Sequence, residues 1–412
     1  MAKATEPIMR LSLIIAAACA PLVGFTADYA IDRAEVLKLA ELCNHAPAIH
    51  AAEGFKTDGD VHAIFYDALP WNGKPTRAFA WIGLPAKREG KVPGMVLIHG
   101  GGGTAYKEWV QKWNDQGFAA ISIAVEGQTD ATEKKDAKAR PTWVRHAFGG
   151  PARDGTFADT KLPLREQWMY HALADTMLAN SLLRSLPEVD AKKIGVMGIS
   201  WGGVITSTVI GLDERFAFGI PTYGCGHLFD AENGWGKALH DNEGYKQVWD
   251  GMNYAERVKM PVLWLSWPQD AHFPLDCQAE NYRKAPGRRM VSLISKMGHS
   301  HPAGWNPPDS YAFAKSVVET GMPWGSSPSA KTESDTAIAV FHSTKPLIRA
   351  VLVSTTDKGF TGTRKWVETP AMAASGGGGT TASAPLPAGT TAWYINAYAD
   401  SLTLTSDYQE IK

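Results

Sequence analysis

Four short strings in this chain carry side chains that could act together on a carbonyl carbon. Gly198-Ile-Ser200-Trp-Gly202 sets one serine between the apolar run 194–197 and the stretch 204–210, which can continue as a buried helix, the pattern of a buried strand breaking into a helix with a hydroxyl at the apex. Glycines two before and two after the serine suit a turn where strand and helix backbones nearly touch. Taken alone the string is weak, since about 0.2 to 0.3 chance matches are expected in a chain this glycine-rich. An inert serine in a glycine-tightened turn is the plain alternative, and the flanking runs favour the nucleophile.

Upstream, the apolar run 92–98 leads straight into His99-Gly100-Gly101-Gly102-Gly103. Attack on an ester puts charge on the carbonyl oxygen, and preorganised backbone N–H groups stabilise it by roughly 3 to 4 kcal/mol per donor. The amide of Trp201 and one from Gly101 or Gly102 are the expected donors. A phosphate cradle would need a lysine and a hydroxyl after the glycines, and both are missing.

An acid and then a histidine should follow the serine. The run 261–266 ends in a loop holding Asp270, and the run 289–295 ends at His299. His299 would take the Ser200 proton and return it to the leaving alcohol, while Asp270 would fix its tautomer and stabilise the imidazolium. Asp276 in the same loop and His301 two residues on are the alternatives for these roles. His272 sits beside the acid. The chemistry calls for neither metal nor cofactor.

Elements that could position these residues are visible on both sides. Residues 31–43 read as a helix, 61–66 and 76–83 as antiparallel strands, 105–116 as a helix and 118–124 as a strand. Residues 126–163 lack periodicity and are long for a loop; as a cover over the site they offer Trp143, His146 and Phe148 as substrate contacts. A helix over 164–186 and a strand over 216–221 follow, then 226–257, where Trp235, Tyr245, Trp249 and Tyr254 could form an aromatic wall. Tyr223 joins Trp143, Trp235 and His272 as a candidate substrate contact. A helix over 310–319 precedes a Pro/Ser-rich stretch, 323–330, that reads as a linker to short β runs in a small sandwich over 331–412. Those runs fall at 336–341, 347–354, 364–368, 392–398 and 402–406.

Composition limits the partners. A formal charge of −1 and 44% hydrophobic residues with 15 tryptophans fit a near-neutral globular protein and favour neither nucleic acid nor an anionic membrane. Lys3 and Arg10 before the apolar run 11–20, with small residues to about position 27, read as a secretory signal, too short to span a membrane. Lipidation at Cys19 is the weaker alternative. Export to periplasm or medium leaves Cys43, Cys225 and Cys277; Cys225 and Cys277 are expected as two buried free thiols, with a bridge between them as the alternative.

With these residues in place the chain resembles the α/β-hydrolase superfamily, and more narrowly the secreted dienelactone-hydrolase-like and acetylxylan-esterase-like enzymes and the PhoPQ-activated pathogenicity-related family. The resemblance covers residues 55–320 and rests on His99-Gly-Gly-Gly-Gly103, Gly198-Ile-Ser-Trp-Gly-Gly203, Tyr223-Gly-Cys-Gly226, Asp270-Ala-His-Phe-Pro-Leu-Asp276 and Met297-Gly-His-Ser-His301. It implies a mostly parallel sheet flanked by helices over 28–325, with Ser200, Asp270 and His299 as triad. Dienelactone hydrolases proper use cysteine as nucleophile, so the serine points to ordinary esters. A secreted serine esterase removing short acyl groups, such as acetyl, from carbohydrate is the expectation. A serine peptidase on the same fold and an inactive glycan-binding homologue are the alternatives. The oligomeric state is not legible.

Overall fold

The computed structural model describes residues 28–411. The segment 1–27, read from sequence as a secretory signal, with Cys19, lies outside them. Strands β1 (Ile49–Ala51), β2 (His62–Trp71), β3 (Lys74–Gly83), β4 (Val92–Ile98) and β5 (Ala119–Ile123) precede a hairpin of β6 (Gln128–Glu133) and β7 (Thr142–Arg145). After them come β8 (Val189–Ile199), β9 (Phe218–Thr222), β10 (Val262–Ser266) and β11 (Arg289–Leu293). Apart from the hairpin these form one nine-stranded sheet in the order β1-β2-β3-β5-β4-β8-β9-β10-β11. Pairing is antiparallel from β1 to β5 and parallel from there to β11.

Every residue of β5, β9 and β10 is buried, as parallel strands covered on both faces must be. The helix Trp168–Ser185 is buried almost all round, which explains why its apolar residues show no single stripe. Strand β8 lies at the centre of the sheet, where the crossovers place the carboxyl ends of β4, β8, β10 and β11 at one rim. Ser200, Asp270 and His299 all follow those ends.

The remaining strands lie C-terminal. β12 (Gly325–Glu333), β13 (Thr336–Ser343), β14 (Arg349–Thr355), β15 (Val367–Gly376), β16 (Gly379–Pro385), β17 (Ala392–Ala399) and β18 (Leu402–Thr405) run in the order β12-β13-β16-β15-β14-β17-β18, with β19 (Gln409–Glu410) on β17. All these pairs are antiparallel. β15 joins the two halves, pairing β14 with Val367–Ala371 and β16 with Met372–Gly376. β13 and β17, far apart on this path, pack on each other.

Three expectations are corrected here. The stretch read as a linker is strand β12, because pairing with β13 overrides its Ser/Pro-rich composition. Between the expected runs 364–368 and 392–398 lies a further strand, β16, reached through a turn at Gly377-Gly378; its polar composition carries too little apolar signal to be seen in sequence. Within 126–163 the hairpin β6–β7 replaces the structureless loop.

β11 is the edge of the large sheet, and the C-terminal region covers it. Leu293 N–H donates to Thr405 Oγ1 (2.8 Å), Asn396 Nδ2 donates to Leu293 O (3.0 Å), and Ser292 Oγ donates to Thr403 O (2.5 Å). An uncovered edge would offer unpaired backbone groups to other chains.

Candidate active site

Ser200 stands between β8 and the helix Trp201–Val209 at φ 60°, ψ −118°, a backbone conformation that costs a non-glycine residue about 1 to 3 kcal/mol. The surroundings enforce it. A Cβ on Gly198 would lie 2.0 Å from Gly202 O, and one on Gly202 would lie 2.2 Å from Ile98 O. Ser200 N–H donates to Thr222 O at 2.9 Å, pinning the turn to the end of β9.

His299 bridges serine and acid. Its Nε2 is 3.0 Å from Ser200 Oγ and its Nδ1 is 2.8 Å from Asp270 Oδ2. Asp270 is fully buried, and its carboxylate is satisfied by N–H donors from His272 and Phe273 (2.9 Å each) and by Trp267 Nε1 (3.2 Å). With the carboxylate on Nδ1, Nε2 is left free to accept the Ser200 proton. Tyr223 stacks on the His299 ring, with centroids 4.5 Å apart, and His272 meets it edge-on at 4.8 Å. Burial, followed by the Asp270 charge, pushes the Tyr223 phenol up, so it stays neutral beside the imidazole.

The two alternatives have other employment. Asp276 accepts from Thr361 Oγ1 at 2.8 Å, away from the imidazole. His301 Nε2 accepts the Gly100 N–H at 2.8 Å. Burial pulls His301 down to about 4, which keeps it neutral and able to accept.

That bond is one of several on the glycine loop. His99, also pulled down to about 4 by burial, puts Nδ1 2.7 Å from Gly100 O, while its Nε2 accepts from Val125 N–H (3.2 Å). Gln128 Nε2 donates to Gly103 O (2.9 Å), and Trp143 Nε1 donates to Gly102 O (2.8 Å). The loop is therefore held by its carbonyls and by the Gly100 amide. Among the described residues the amides of Gly101, Gly102 and Trp201 make no hydrogen bond, which leaves them as donors for a developing oxyanion.

Around the serine, Trp235 packs on Trp201 (5.1 Å) and on His272 (5.9 Å), and Phe273 lies against both Trp201 and His299. Trp143 thus serves the loop through its indole N–H. His146 packs on Phe65 of β2, and Phe148 lies under Arg77 of β3; both face that end of the sheet, so neither is brought to the serine. Tyr245 stands in a second layer behind Phe157, while Trp249 and Tyr254 are core. Cys225 and Cys277 are buried free thiols.

Sequence reasoning missed Arg153, whose guanidinium lies over the Trp201 ring at 5.0 Å and pairs with Glu126 at 3.6 Å. Nothing in a glycine-rich insertion marks one arginine over its neighbours. His301 and Gln128 were likewise invisible as loop clamps, because their partners are backbone atoms remote in sequence.

A family model described as acetyl xylan esterase matches residues 38–231, just under half of the chain. An acetyl xylan esterase from Paenibacillus sp. R4 aligns with TM-score 0.50 at 22% identity, covering 66% of this chain and 90% of its own. Acetyl xylan esterase 1 from Thermoanaerobacterium sp. JW/SL YS485 gives TM-score 0.51 at 18% identity, with 66% and 88% covered. The chain has the α/β-hydrolase fold. Over residues 38–231 it is similar to the acetyl xylan esterase family. An uncharacterized peptidase of Bacillus subtilis (strain 168) is 26% identical over 239 residues, 53% of this chain and 31% of that protein; the match spans less than a third of that relative's length. Among the described residues no helix is long and apolar enough to cross a membrane.

Proposed function

We propose that the protein is a serine carboxylic-ester hydrolase working through an acyl-enzyme on Ser200. The observation that carries this reading is the linked geometry of Ser200 Oγ, His299 and Asp270, at 3.0 and 2.8 Å, beside three unpaired amides. His299 takes the Ser200 proton as Oγ attacks the ester carbonyl. The amides of Trp201 and of Gly101 or Gly102 receive the oxyanion, and the imidazolium returns the proton to the leaving alcohol. Water then repeats the cycle on the acyl-enzyme.

The aromatic crowd of Trp201, Trp235 and Phe273 beside the serine supports a short acyl group, and the family description supports acetyl on carbohydrate. The leader-like segment 1–27 supports export to periplasm or medium. Residues 28–324 are taken as the hydrolase unit and 325–412, from the start of β12, as the C-terminal β unit. Ser200→Ala should abolish turnover of p-nitrophenyl acetate and labelling by a fluorophosphonate; retained turnover would sink the assignment.

Peptide hydrolysis is the second reading, favoured by the peptidase relative. An acyl-peptide cleaved faster than p-nitrophenyl acetate and acetylated xylan would replace the first reading with it.

A further inference from the structure

The loop that delivers Asp270 is gripped from two sides. Within the hydrolase part, Asn233 Nδ2 donates to Ala271 O (2.9 Å) and to His272 O (3.0 Å). From the C-terminal β part, the short 3-10 turn Thr361–Thr363 is pressed against the opposite side. A Cβ on Gly362 would lie 2.8 Å from both Asp270 O and Ala271 Cα, so only a residue without one fits there. Thr361, itself buried, accepts from Leu275 N–H through Oγ1 (3.2 Å) and donates to Asp276 Oδ1 (2.8 Å). Both ends of the segment 270–276 are thereby tied to a part of the chain some ninety residues further on. The strand that leads to His299 is tied to the same part, through Thr405 and Asn396.

We propose that Thr361 and Gly362 are positioning residues for the hydrolase reaction, and that the C-terminal β region thus completes the active site rather than accompanying it as a separate binding module. The inference rests on the serine-hydrolase reading above. The carboxylate must meet His299 Nδ1 within a few tenths of an ångström, and a misplacement of about 1 Å can cost roughly a hundred-fold in rate. Asp270 sits on a loop after β10, the strand next to the sheet edge, and Asn233 holds one side of that loop. Thr361 and Gly362 hold the other.

The test uses the full chain and p-nitrophenyl acetate. Gly362→Ala introduces the Cβ without any conflict of φ and should lower kcat about a hundred-fold with KM little changed. Thr361→Val keeps the shape but removes both hydrogen bonds; kcat should fall about ten-fold, and Thr361→Ser, which restores the hydroxyl, should recover it to within about two-fold. A merely structural role would lower the melting temperature while leaving kcat at 25 °C untouched. Wild-type kcat in folded Thr361→Val and Gly362→Ala, or a loss that Thr361→Ser does not repair, would overturn the proposal. Ser200→Ala in the same assay separates the two levels. If it still turns over ester, the hydrolase reading fails; if it is silent while the other variants keep wild-type kcat, only the positioning role fails.

Discussion

The serine side and the acid-histidine side of this site are built by different means. Ser200 sits after a central strand, and its turn is shaped by close contacts among Gly198, Gly202 and the carbonyls of β4. Those contacts are steric: Gly198 meets the backbone of Gly202 four residues on, and Gly202 meets the carbonyls of Ile98 and His99. Asp270 and His299 follow β10 and β11, at the sheet margin, where the next support comes from residues 361–405. The half of the site that lies inside the sheet is fixed by glycine; the half at its edge is held by hydrogen bonds, within the acid loop, from Asn233 and from the C-terminal region. A motif can be recognised in the first case and only a fold in the second.

Substitutions can separate the two halves. The largest effect is expected from Asp270→Asn, which keeps the shape of the buried side chain but presents the wrong group to His299 Nδ1; kcat should fall by about 10⁴ with the fold retained, read by ester turnover and far-UV circular dichroism. A loss under ten-fold would show that the edge half contributes little. Gly202→Ala strikes the inner half, where the new Cβ meets Ile98 O at 2.2 Å; a fall of at least a hundred-fold in kcat and a loss of about 1 to 3 kcal/mol in denaturant unfolding are expected. Ester turnover and melting temperature at wild-type values would refute the steric account of the elbow.

His301→Leu removes the acceptor of the Gly100 N–H and should cost about ten-fold in kcat, whereas His301→Gln, which can still accept, should lose less. Equal losses in steady-state kinetics would show that the loop does not depend on that bond. The smallest effect concerns Asp175, in the buried helix under the sheet. Burial pushes its carboxyl from an ordinary 3.8 up to about 8. A raised acid binds its proton more tightly when folded, so its stabilising contribution is full below about pH 4 and is lost as pH rises to about 8. Asp175→Asn lacks that loss. Its melting temperature relative to wild type should therefore climb by a few degrees from pH 4 to pH 8, and a constant difference across the range would be the contrary result.

Much of the hydrolase part was legible. The runs 92–98, 194–197, 261–266 and 289–295 each proved to hold a strand of the large sheet, and the residues that follow them gather at one rim. What failed had weak or misleading local signals. β16 is a strand of Gly, Thr, Ala, Ser and Pro that holds together because β13 and β15 pair it on both sides.

The sequence by itself determined the elbow. Apolar run, glycine, serine and glycine leave the chain one way to turn, since any Cβ at those glycines collides with backbone already in place. It also determined which residue types follow the strand ends in the order acid, histidine. Only the tertiary structure decided between Asp270 and Asp276 and between His299 and His301 as neighbours of the serine. That choice depends on which side chain faces Ser200 across a gap of 3.0 Å, and the facing is set by Asn233, Thr361, Gly362 and Gly100, residues far apart along the chain. Hydrogen bonds between remote segments leave no periodic trace, so the acid and the histidine were a choice in the sequence and a single arrangement in the fold.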